Sequence, residues 1–480
     1  MVSGVEGGSY KPLAEDDVKS IHELTLRIIE EVGVKVPNKQ ALEIFSERGA
    51  SVDQSTQIVK MTPSMVEEII GQVPSRVVLC GRQEEHDLVL EGARTYLGTG
   101  GMVLNCLDLE TGERRPTTLD DVRNFAKITD ALDNVSFFLI NVYPNDLPTE
   151  EVDINRFYHA LANTSKHVMG GIFTMEGLRQ VVKMAEHLAG GAKQLRERPF
   201  ISFITCVMSP LLLDDLYTDF LIESARLGIP VAAPAEPLAG ATSPCTLAGT
   251  VVTNNIETLT GVILSQLVNP GTPVIYGSVA TSMDMKSGSY LAGSIESGLI
   301  NAGLAQMAQY YRIPFYATAG MSDSKLPDCQ AGYEKAATMM LNVLAGANYI
   351  HDAAGILEFC TTASYEQMVI DNEIIGICLR ASRGIEVDGD KLAEEVIRRV
   401  GPGGNFLAEE HTIKHFRSEF FYPTVADRQL RSAWEKDGSL DTGERARRMA
   451  RKLLDTHKPL PLPAEAAEKV MQEFKDIKRG

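Results

Sequence analysis

Short apolar runs alternate with amphipathic stretches along the middle of the chain, and this alternation predicts strands joined by helices. The runs are apolar on both faces, as expected for parallel strands that are covered on both sides. They are TYLGTG (95–100), VSFFLI (135–140), HVMGGI (167–172), FISFITCV (200–207), PVAAPA (230–235), PVIYGS (273–278), IPFYATA (313–319) and ANYIHDA (347–353). A helical pattern follows each run. Eight such units in about 290 residues predict an α/β fold of the (β/α)8 TIM-barrel type.

The segments on either side of the predicted barrel have a different pattern. Residues 1–92 show apolar stripes at helical spacing, so we predict a helical extension before the barrel, which occupies residues 93–384. Residues 385–480 form a second helical region, interrupted by the glycine-rich segment 401–405. Connections before the strands are short, whereas those after the strands are longer and more polar. This asymmetry predicts a functional site at the carboxyl ends of the strands.

One long uncharged stretch, from Thr258 to Met283, has the length of a membrane span. It contains Pro270, Gly271 and Pro273, which break a membrane helix, so we predict a buried helix, a turn and a buried strand. The first residues of the chain lack the basic start and apolar core of a signal peptide. We therefore expect no membrane association.

Composition and charge narrow the functional classes further. The hydrophobic share of 44% and the charged share of 23% are typical of a globular enzyme. A net charge of −18 disfavours a nucleic-acid-binding face. The seven cysteines are scattered without a CxxC pair, which predicts reduced thiols and no zinc or iron–sulfur site. We expect a cytoplasmic protein with no nucleic-acid partner and no directly bound metal.

Polar residues gather where the predicted strands end. Glu236 follows the fifth apolar run among small residues, where a carboxylate is either a functional group or a helix cap. His351 lies at the end of the eighth run, either as a core residue or as a ligand contact. The loop after the seventh run is the most polar of these segments. Its candidate residues for lining the barrel mouth are Asp323, Ser324, Lys325, Gln330 and Glu334.

Other kinds of chemistry have weaker support in the sequence. The Gly98–Gly101 turn lacks the glycine spacing and the acidic partner of a dinucleotide site, which favours a tight strand exit. The E-H-x3-H pattern at 410–415 has ligand-like helical spacing, but we interpret it as a packed or salt-bridged helix face. Lys325 or Lys286 could act as the Schiff-base lysine of an aldolase-like barrel, and this alternative stays open.

Five longer segments resemble one known family. They are LDLETGERRPTTLDD after the first strand, PAEPLAGATSPCTLAGT after the fifth, QLVNPGTPVIYG leading into the sixth, GMSDSKLPDCQAGYE after the seventh, and HTIKHFRSEFF in the tail. These segments are similar to the trimethylamine methyltransferase superfamily. More narrowly, they resemble the branch without pyrrolysine, which includes glycine betaine:corrinoid methyltransferases. The resemblance extends over about residues 15–455.

The resemblance implies a (β/α)8 barrel that demethylates a quaternary amine. The methyl group passes to the Co(I) form of a cobalamin carried by a separate corrinoid protein. Because the chain contains only the twenty ordinary amino acids, the resemblance favours a quaternary ammonium substrate over trimethylamine. Glycine betaine, which would give dimethylglycine, is our first candidate. Proline betaine, carnitine and γ-butyrobetaine remain alternatives.

The implied reaction requires positioning of the substrate and no general acid, because a quaternary nitrogen is already a leaving group. Aromatic rings would hold the cation through cation–π contacts. We expect His351 to donate to a substrate carboxylate and Glu236 to face the ammonium group. The candidate rings in or just after the strands are Tyr96, Phe173, Tyr290, Tyr316 and Phe359.

The resemblance also implies a protein partner, and two alternative functions remain. We expect the corrinoid protein to dock on the loops after the sixth and seventh strands and on residues 401–425, and we expect the chain to form a homo-oligomer. A barrel that binds a betaine without turning it over is a second hypothesis. The lysine-dependent aldolase-like barrel is the third.

Overall fold

The computed structural model describes residues 4–479. The amino-terminal part contains the helices expected there, and Asn38 and Thr62 cap the second and third of them. It also contains short strands that the sequence analysis did not predict, because runs of two or three residues are too short to show a period. The elements are β1 (Val5–Glu6), α1 (Glu15–Glu31), β2 (Val34–Lys35), α2 (Lys39–Glu47), β3 (Ser51–Asp53), β4 (Ile58–Lys60), α3 (Pro63–Ile70), β5 (Val77–Leu79) and β6 (Leu88–Leu90).

The central part alternates strands and helices, as predicted. Its strands are β7 (Arg94–Thr99), β8 (Asn105–Leu107), β9 (Arg114–Pro116), β10 (Phe137–Leu139), β11 (His167–Gly171), β12 (Ile201–Ile204), β13 (Val231–Ala235), β14 (Leu238–Ala239), β15 (Val274–Ser278), β16 (Thr281–Met283), β17 (Tyr290–Leu291), β18 (Phe315–Thr318), β19 (Tyr349–Ala354), β20 (Ile356–Leu357) and β21 (Thr362–Ser364). Its helices are α4 (Leu119–Ala131), α5 (Thr149–Asn163), α6 (Met175–Ala189), α7 (Ala192–Glu197), α8 (Asp215–Leu227), α9 (Leu247–Val268), α10 (Ile295–Tyr311), α11 (Cys329–Ala345) and α12 (Tyr365–Ser382).

All eight predicted strands lie parallel to one another in one nine-stranded sheet, in the order β7, β19, β18, β15, β13, β12, β11, β10, and the short strand β1 pairs antiparallel with β7 at its edge. Strands β7 and β10 also lie against each other, since Ser136 N donates to Leu97 O at 2.7 Å and Thr99 Oγ1 donates to Leu139 O at 2.8 Å. Within residues 4–479 no regular ladder joins these two strands. The α/β fold with a parallel sheet is therefore confirmed, and closure into a complete barrel stays a prediction.

The inner face of the sheet is packed with large side chains. Tyr96, Phe137, Met169, Tyr316 and Tyr349 form one cluster there with the apolar side chains of the β5–β6 hairpin. All the tyrosines and phenylalanines of this cluster lie near the first residues of their strands. The hairpin therefore covers the amino-terminal end of the strands.

The carboxyl-terminal part is helical, as expected. Helices α16 and α17 pack on the central part, α16 against α4 and α12 and α17 against α6. The segment before them instead leaves large apolar side chains exposed, among them Ile385, Leu407 and Leu430. The helices are α13 (Glu394–Val400), α14 (Glu410–Glu419), α15 (Arg431–Lys436), α16 (Thr442–Thr456) and α17 (Ala464–Glu473). The two predicted domain boundaries, at residues 92/93 and 384/385, stay predictions.

The uncharged stretch from Thr258 to Met283 forms the second half of α9, a turn, strand β15 and strand β16. Helix α9 is buried on nearly all sides, which confirms the predicted buried helix and strand. Among the described residues, no helix combines the length and the apolar composition needed to cross a membrane. All seven cysteines are free thiols.

Candidate active site

A cavity of about 450 Å³ lies at the carboxyl ends of the parallel strands, where the sequence predicted the site. Residues at the ends of β10, β11, β12, β13, β15, β18 and β19 line it, so that nearly the whole sheet contributes. Six of the predicted substrate-binding residues meet in its wall. They are Phe173, Glu236, Tyr290, Tyr316, His351 and Phe359.

The structure places Tyr96 outside the cavity wall. It is the third residue of β7, so its ring lies near the amino-terminal end of the strands, in the cluster beneath the β5–β6 hairpin. Its hydroxyl oxygen accepts a hydrogen bond from Val89 N at 3.2 Å, which ties it to β6. Tyr96 therefore has a packing role, and the interpretation of its ring as part of a cation site has no support in this geometry.

The polar loop after β18 lies behind the cavity wall. Asp323 accepts hydrogen bonds from the backbone of Ala292 and Gly293, and Ser324 Oγ donates to Asp328 Oδ1 at 2.8 Å. Glu334 accepts hydrogen bonds from Ser322, the backbone nitrogen of Asp323 and Gln330. The polar side chains of this loop thus have hydrogen-bond partners within the protein, and none of Asp323, Ser324, Lys325, Gln330 and Glu334 lines the cavity.

This loop nevertheless supports one face of the cavity. Lys325 Nζ lies 4.2 Å from the centre of the Phe359 ring, and Phe359 N donates to Ser322 O at 3.2 Å. Phe359 belongs to a run of three residues, 358–360, with left-handed backbone conformation. Non-glycine residues adopt this conformation at a cost, so the surrounding contacts must hold the run in place. The loop therefore positions the Phe359 ring at the cavity.

A column of stacked rings rises from the packed interior to the cavity. Phe137 and Tyr349 stack with centres 3.6 Å apart, Tyr349 and Tyr316 at 5.4 Å, and Tyr316 and His351 at 4.2 Å. Side chains in such a stack have little freedom to rotate. The two rings at the top of the column, Tyr316 and His351, therefore form a rigid part of the cavity wall.

Glu236 provides a carboxylate at the cavity. The side chain is accessible from the cavity, but protein atoms surround it, and this poor solvation raises its pKa to about 7. Hydrogen bonding from Tyr290 opposes this rise, and the negative charge of Asp352 adds to it. Both acidic side chains line the cavity. This part of the cavity therefore has negative potential and would attract a cation.

His351 has one hydrogen-bond partner and one neighbouring carboxylate. Its Nε2 is hydrogen-bonded to the Thr318 hydroxyl, whereas its Nδ1 lies 3.0 Å from Asp352 Oδ2 without forming a hydrogen bond. Asp352 adopts a left-handed backbone conformation, with φ of 63°. Its other carboxylate oxygen, Oδ1, is buried without a hydrogen-bond partner. A buried acceptor of this kind has an incomplete environment, which a ligand or water would complete.

Gly100 allows β7 to approach this pair closely. A Cβ at position 100 would overlap the backbone nitrogen of Asp352 and would lie 2.7 Å from His351 Nδ1. The Gly98–Gly101 turn is thus a tight strand exit, as interpreted from the sequence. Gly98 accommodates the Phe137 ring of β10, and Gly100 accommodates the neighbouring strand β19, instead of a phosphate group.

We expect Gly100→Ala to displace Asp352 and His351 and to weaken ligand binding about tenfold, because overpacking of a rigid site costs about 1–3 kcal/mol. Titration calorimetry with glycine betaine and thermal denaturation measure the two effects. Gly332→Ala is the matched control, since a Cβ there meets nothing within 4 Å and residue 332 lies inside helix α11. Equal affinity in wild type and Gly100→Ala would contradict this view of the turn.

Arg156 and Asp352 are cavity residues that the sequence analysis missed. Asp352 directly follows His351, so its position at a strand end was available as a signal. Arg156 lies in the middle of α5 and has no exposed surface. The sequence did contain a clue to Arg156, because it is an arginine on the apolar face of a helix and arginine is rarely buried without a partner. Cys206 and Cys360 also line the cavity, and burial raises the pKa of both thiols.

The alternative chemistries have little support in this geometry. Neither Lys325 nor Lys286 lines the cavity, and Lys286 is exposed on the loop after β16. Among residues 4–479, Asp390, His411 and His415 form one group with ligand spacing, in the carboxyl-terminal part. Lys414 Nζ donates to the same Asp390 oxygen at 2.7 Å, so this group is a salt-bridged helix surface as interpreted from the sequence.

Comparison with known proteins agrees with this architecture. The model of the family described as trimethylamine methyltransferase (MTTB) matches residues 4–479. A trimethylamine methyltransferase from Desulfitobacterium hafniense is 41% identical over 478 residues, which are 99% of this chain and 96% of that protein. A glycine betaine methyltransferase from another strain of the same species is 36% identical over 464 residues, with 96% of both chains covered.

Solved structures show a similar fold at low sequence identity. The monomethylamine methyltransferase of Methanosarcina barkeri superimposes with a TM-score of 0.51 over 95% of this chain and 96% of that one, at 11% identity. This likeness concerns the fold alone. The family model and the full-length relatives, however, both match nearly the entire chain, and all of those relatives are methyltransferases. This chain therefore belongs to the trimethylamine methyltransferase family and is a methyltransferase.

Proposed function

We propose that this methyltransferase demethylates a quaternary amine, with glycine betaine as the first candidate, and passes the methyl group to a cobalamin carried by a separate corrinoid protein. The observation that carries the proposal is the negative, ring-lined cavity at the strand ends, with Glu236 beside Tyr290, Tyr316 and Phe359. A cavity with these features suits a permanent cation. The 36%-identical glycine betaine methyltransferase supports the same substrate class.

The cavity residues would act by positioning. Rings attract a quaternary ammonium group through their faces, and the ionised Glu236 carboxylate adds a Coulomb attraction. No proton has to reach the nitrogen, because the C–N bond breaks with its electron pair staying on the departing tertiary amine. The apolar walls keep water from the reacting methyl group. This arrangement has no need for a general acid or base.

Cobalamin in its Co(I) state, carried by the partner protein, would supply the nucleophile that accepts the methyl group. The residues at the opening of the cavity fit a large, partly apolar ring carried by a partner. Met102 and Tyr217 line the cavity and are exposed, and exposed Met208 and Met285 lie on neighbouring strand-end loops. Flexible methionine side chains adapt well to such a surface. They would surround the approach to the substrate methyl group and exclude water from it.

Two further parts of the proposal concern the surroundings of the site. We propose that β7 and β10 close the sheet into a (β/α)8 barrel, which the contacts of Ser136 with Leu97 and of Thr99 with Leu139 support. We also place the protein in a reducing compartment, the cytoplasm, because all seven thiols are free.

An anaerobic absorbance assay tests the function. The protein is mixed with cob(I)alamin and, separately, with glycine betaine, proline betaine, carnitine, γ-butyrobetaine and trimethylamine. We expect loss of the cob(I)alamin absorbance with a betaine, together with release of the demethylated amine, detected by mass spectrometry. If trimethylamine reacts and none of the betaines does, the substrate is trimethylamine and the proposed quaternary amine substrate is wrong. If none of them reacts even in the presence of a cognate corrinoid protein, the methyl-transfer proposal is wrong.

The aromatic wall can be tested separately through Phe359. We expect Phe359→Leu to weaken binding of glycine betaine by about 2- to 30-fold, which corresponds to a cation–π contact of about 0.5–2 kcal/mol. Phe406→Leu is the matched control, because Phe406 is exposed on the carboxyl-terminal part, away from the cavity. An unchanged dissociation constant for Phe359→Leu in titration calorimetry would remove this ring from the cation site.

A further inference from the structure

The cavity also has a positively charged wall, formed by Arg156. Its side chain has no exposed surface, and it lines the cavity beside Phe173, whose ring centre lies 5.2 Å from the guanidinium carbon. The guanidinium donates to two backbone carbonyl oxygens, those of Gly171 at 3.3 Å and Ile140 at 3.2 Å. Burial lowers its pKa only to about 10, so Arg156 is charged at neutral pH.

This buried charge lacks a direct counter-ion. In the described part of the chain, no carboxylate forms an ion pair with Arg156, and its Nε has no hydrogen-bond partner. Asp153 attracts it from a distance, but the Asp153 oxygens already accept hydrogen bonds from the backbone of Phe173 and Thr174. A buried charge with an unused donor is unfavourable for the fold alone. It indicates a ligand with a negative group.

The negative and positive groups belong to different parts of the cavity. The charge of Asp352 contributes to the raised pKa of Glu236, whereas neither carboxylate is among the groups that shift the pKa of Arg156. Glu236 directly follows β13, and Asp352 lies in β19. Arg156, in contrast, contacts the ends of β10 and β11. The cavity is thus dipolar, which matches a ligand that has a cation at one end and an anion at the other.

We propose that Arg156 recognises the carboxylate of a zwitterionic substrate, while Glu236 and the rings hold its ammonium group. The inference rests on the proposed function and deepens it, because it makes quaternary ammonium carboxylates the substrate class. Amines without a carboxylate would leave the Arg156 charge unpaired. A site that is built to pair a charged group rejects analogues that lack the matching partner.

Arg156 suits this role better than His351, the donor expected from the sequence. The Thr318 hydroxyl is hydrogen-bonded to His351 Nε2, and Nδ1, although it forms no hydrogen bond, lies 3.0 Å from Asp352 Oδ2. A substrate carboxylate beside His351 would therefore meet the negative charge of Asp352. The same charge would favour an ammonium group there. His351 thus belongs to the cation end of the cavity.

Titration calorimetry on the wild-type protein and two variants tests the inference. The ligands are glycine betaine, its methyl ester and choline, which share the trimethylammonium group but differ in the carboxylate. Arg156→Met removes the charge at similar volume, and Arg156→Lys keeps the charge without the planar fork. We expect Arg156→Met to weaken glycine betaine binding about 30-fold. The affinity of Arg156→Lys should lie between those of Arg156→Met and the wild-type protein. Binding of the ester and choline should change by less than about threefold.

Other results would contradict either carboxylate recognition by Arg156 or the proposed function itself. An equal loss for all three ligands in Arg156→Met would show a structural role and refute carboxylate recognition. A wild-type protein that binds the ester as tightly as glycine betaine would also refute it, while the quaternary amine function would stand. If the wild-type protein binds none of the three ligands, the proposed function itself is contradicted, and with it the role of Arg156. Should Arg156→Met not fold, Arg156→Lys and the comparison of ester with betaine decide the question.

Discussion

Replacing Glu236 by glutamine is expected to weaken binding of a quaternary ammonium ion about 10- to 100-fold at pH 8 and to remove its dependence on pH. Two opposite charges about 4 Å apart interact by about 4 kcal/mol at the effective dielectric of a protein site, and desolvation offsets part of this energy. Glutamine keeps the shape of the side chain but has no charge. The loss of affinity therefore measures the contribution of the carboxylate.

The pH dependence follows from the pKa of Glu236, which is about 7. A pH unit below this value, about a tenth of the side chains are ionised, and a unit above it about nine tenths are. A bound cation favours the ionised form. Affinity of the wild-type protein should therefore rise with pH from 6 to 8 and level off above 8, whereas Glu236→Gln should show a flat profile.

Titration calorimetry with glycine betaine at pH 6, 7 and 8 measures both effects, because the ligand itself does not titrate in this range. Glu257→Gln is the matched control. Burial also raises the pKa of Glu257, to about 8, but this side chain bonds Ser209 Oγ and Leu211 N and does not line the cavity. A Glu236→Gln protein that keeps the rise in affinity would assign the titration to another group.

Loss of the buried ion pair between Lys335 and Asp371 is expected to destabilise the protein by about 3–5 kcal/mol. Both side chains are fully buried, and Lys335 Nζ lies 3.0 Å from Asp371 Oδ2. Burial raises the pKa of Asp371, and the positive charge of Lys335 opposes this rise. Lys335→Met would leave a buried carboxylate without its counter-ion, which is among the most unfavourable changes inside a protein.

The pair also fixes two loops that reach the cavity. Lys335 Nζ donates to Gly320 O after β18, and Asp371 accepts a hydrogen bond from Gly355 N, just after β19, at 2.7 Å. These loops continue into Met321 and Phe359 of the cavity wall. We therefore expect Lys335→Met to weaken ligand binding as well as stability.

Urea denaturation measures the stability change. In Lys335→Met/Asp371→Asn neither member of the pair carries a charge, so this double variant should recover a large part of the loss. Lys193→Met serves as a surface control, because Lys193 and Glu197 are an exposed pair at 3.6 Å and such pairs contribute about 0.5 kcal/mol. A decrease below about 1 kcal/mol for Lys335→Met would mean that water or rearrangement compensates the charge.

The strands and the end of the sheet that holds the site could be predicted because their signals are local. Each central strand is a run apolar on both faces, and each is followed by a helix, so the parallel sheet and its functional end follow from general rules. Glu236 and His351 were identified for the same reason, since both lie at the ends of such runs. The hairpin β5–β6 was missed because three-residue strands show no period.

The level of a side chain along its strand was harder to predict. Tyr96 and Tyr316 both lie in strands of the inner face, but Tyr96 faces the hairpin whereas Tyr316 reaches the cavity. The stagger between neighbouring strands decides this, and it depends on pairing between distant segments. Arg156 was missed because it comes from a helix, and only the packing of α5 on the sheet brings its guanidinium to the ends of β10 and β11.

Under the proposed function, the hairpin that covers the amino-terminal end of the strands also implies an order of events at the site. Because side chains fill the interior beneath the cavity, the small ligand and the methyl-accepting partner would both use the opening at the carboxyl ends of the strands. A partner seated on that entrance would trap the ligand below it. The ligand must then bind before the partner, and the demethylated product can leave only after the partner has departed. Steady-state kinetics should accordingly be ordered, with the small substrate first on and its product last off.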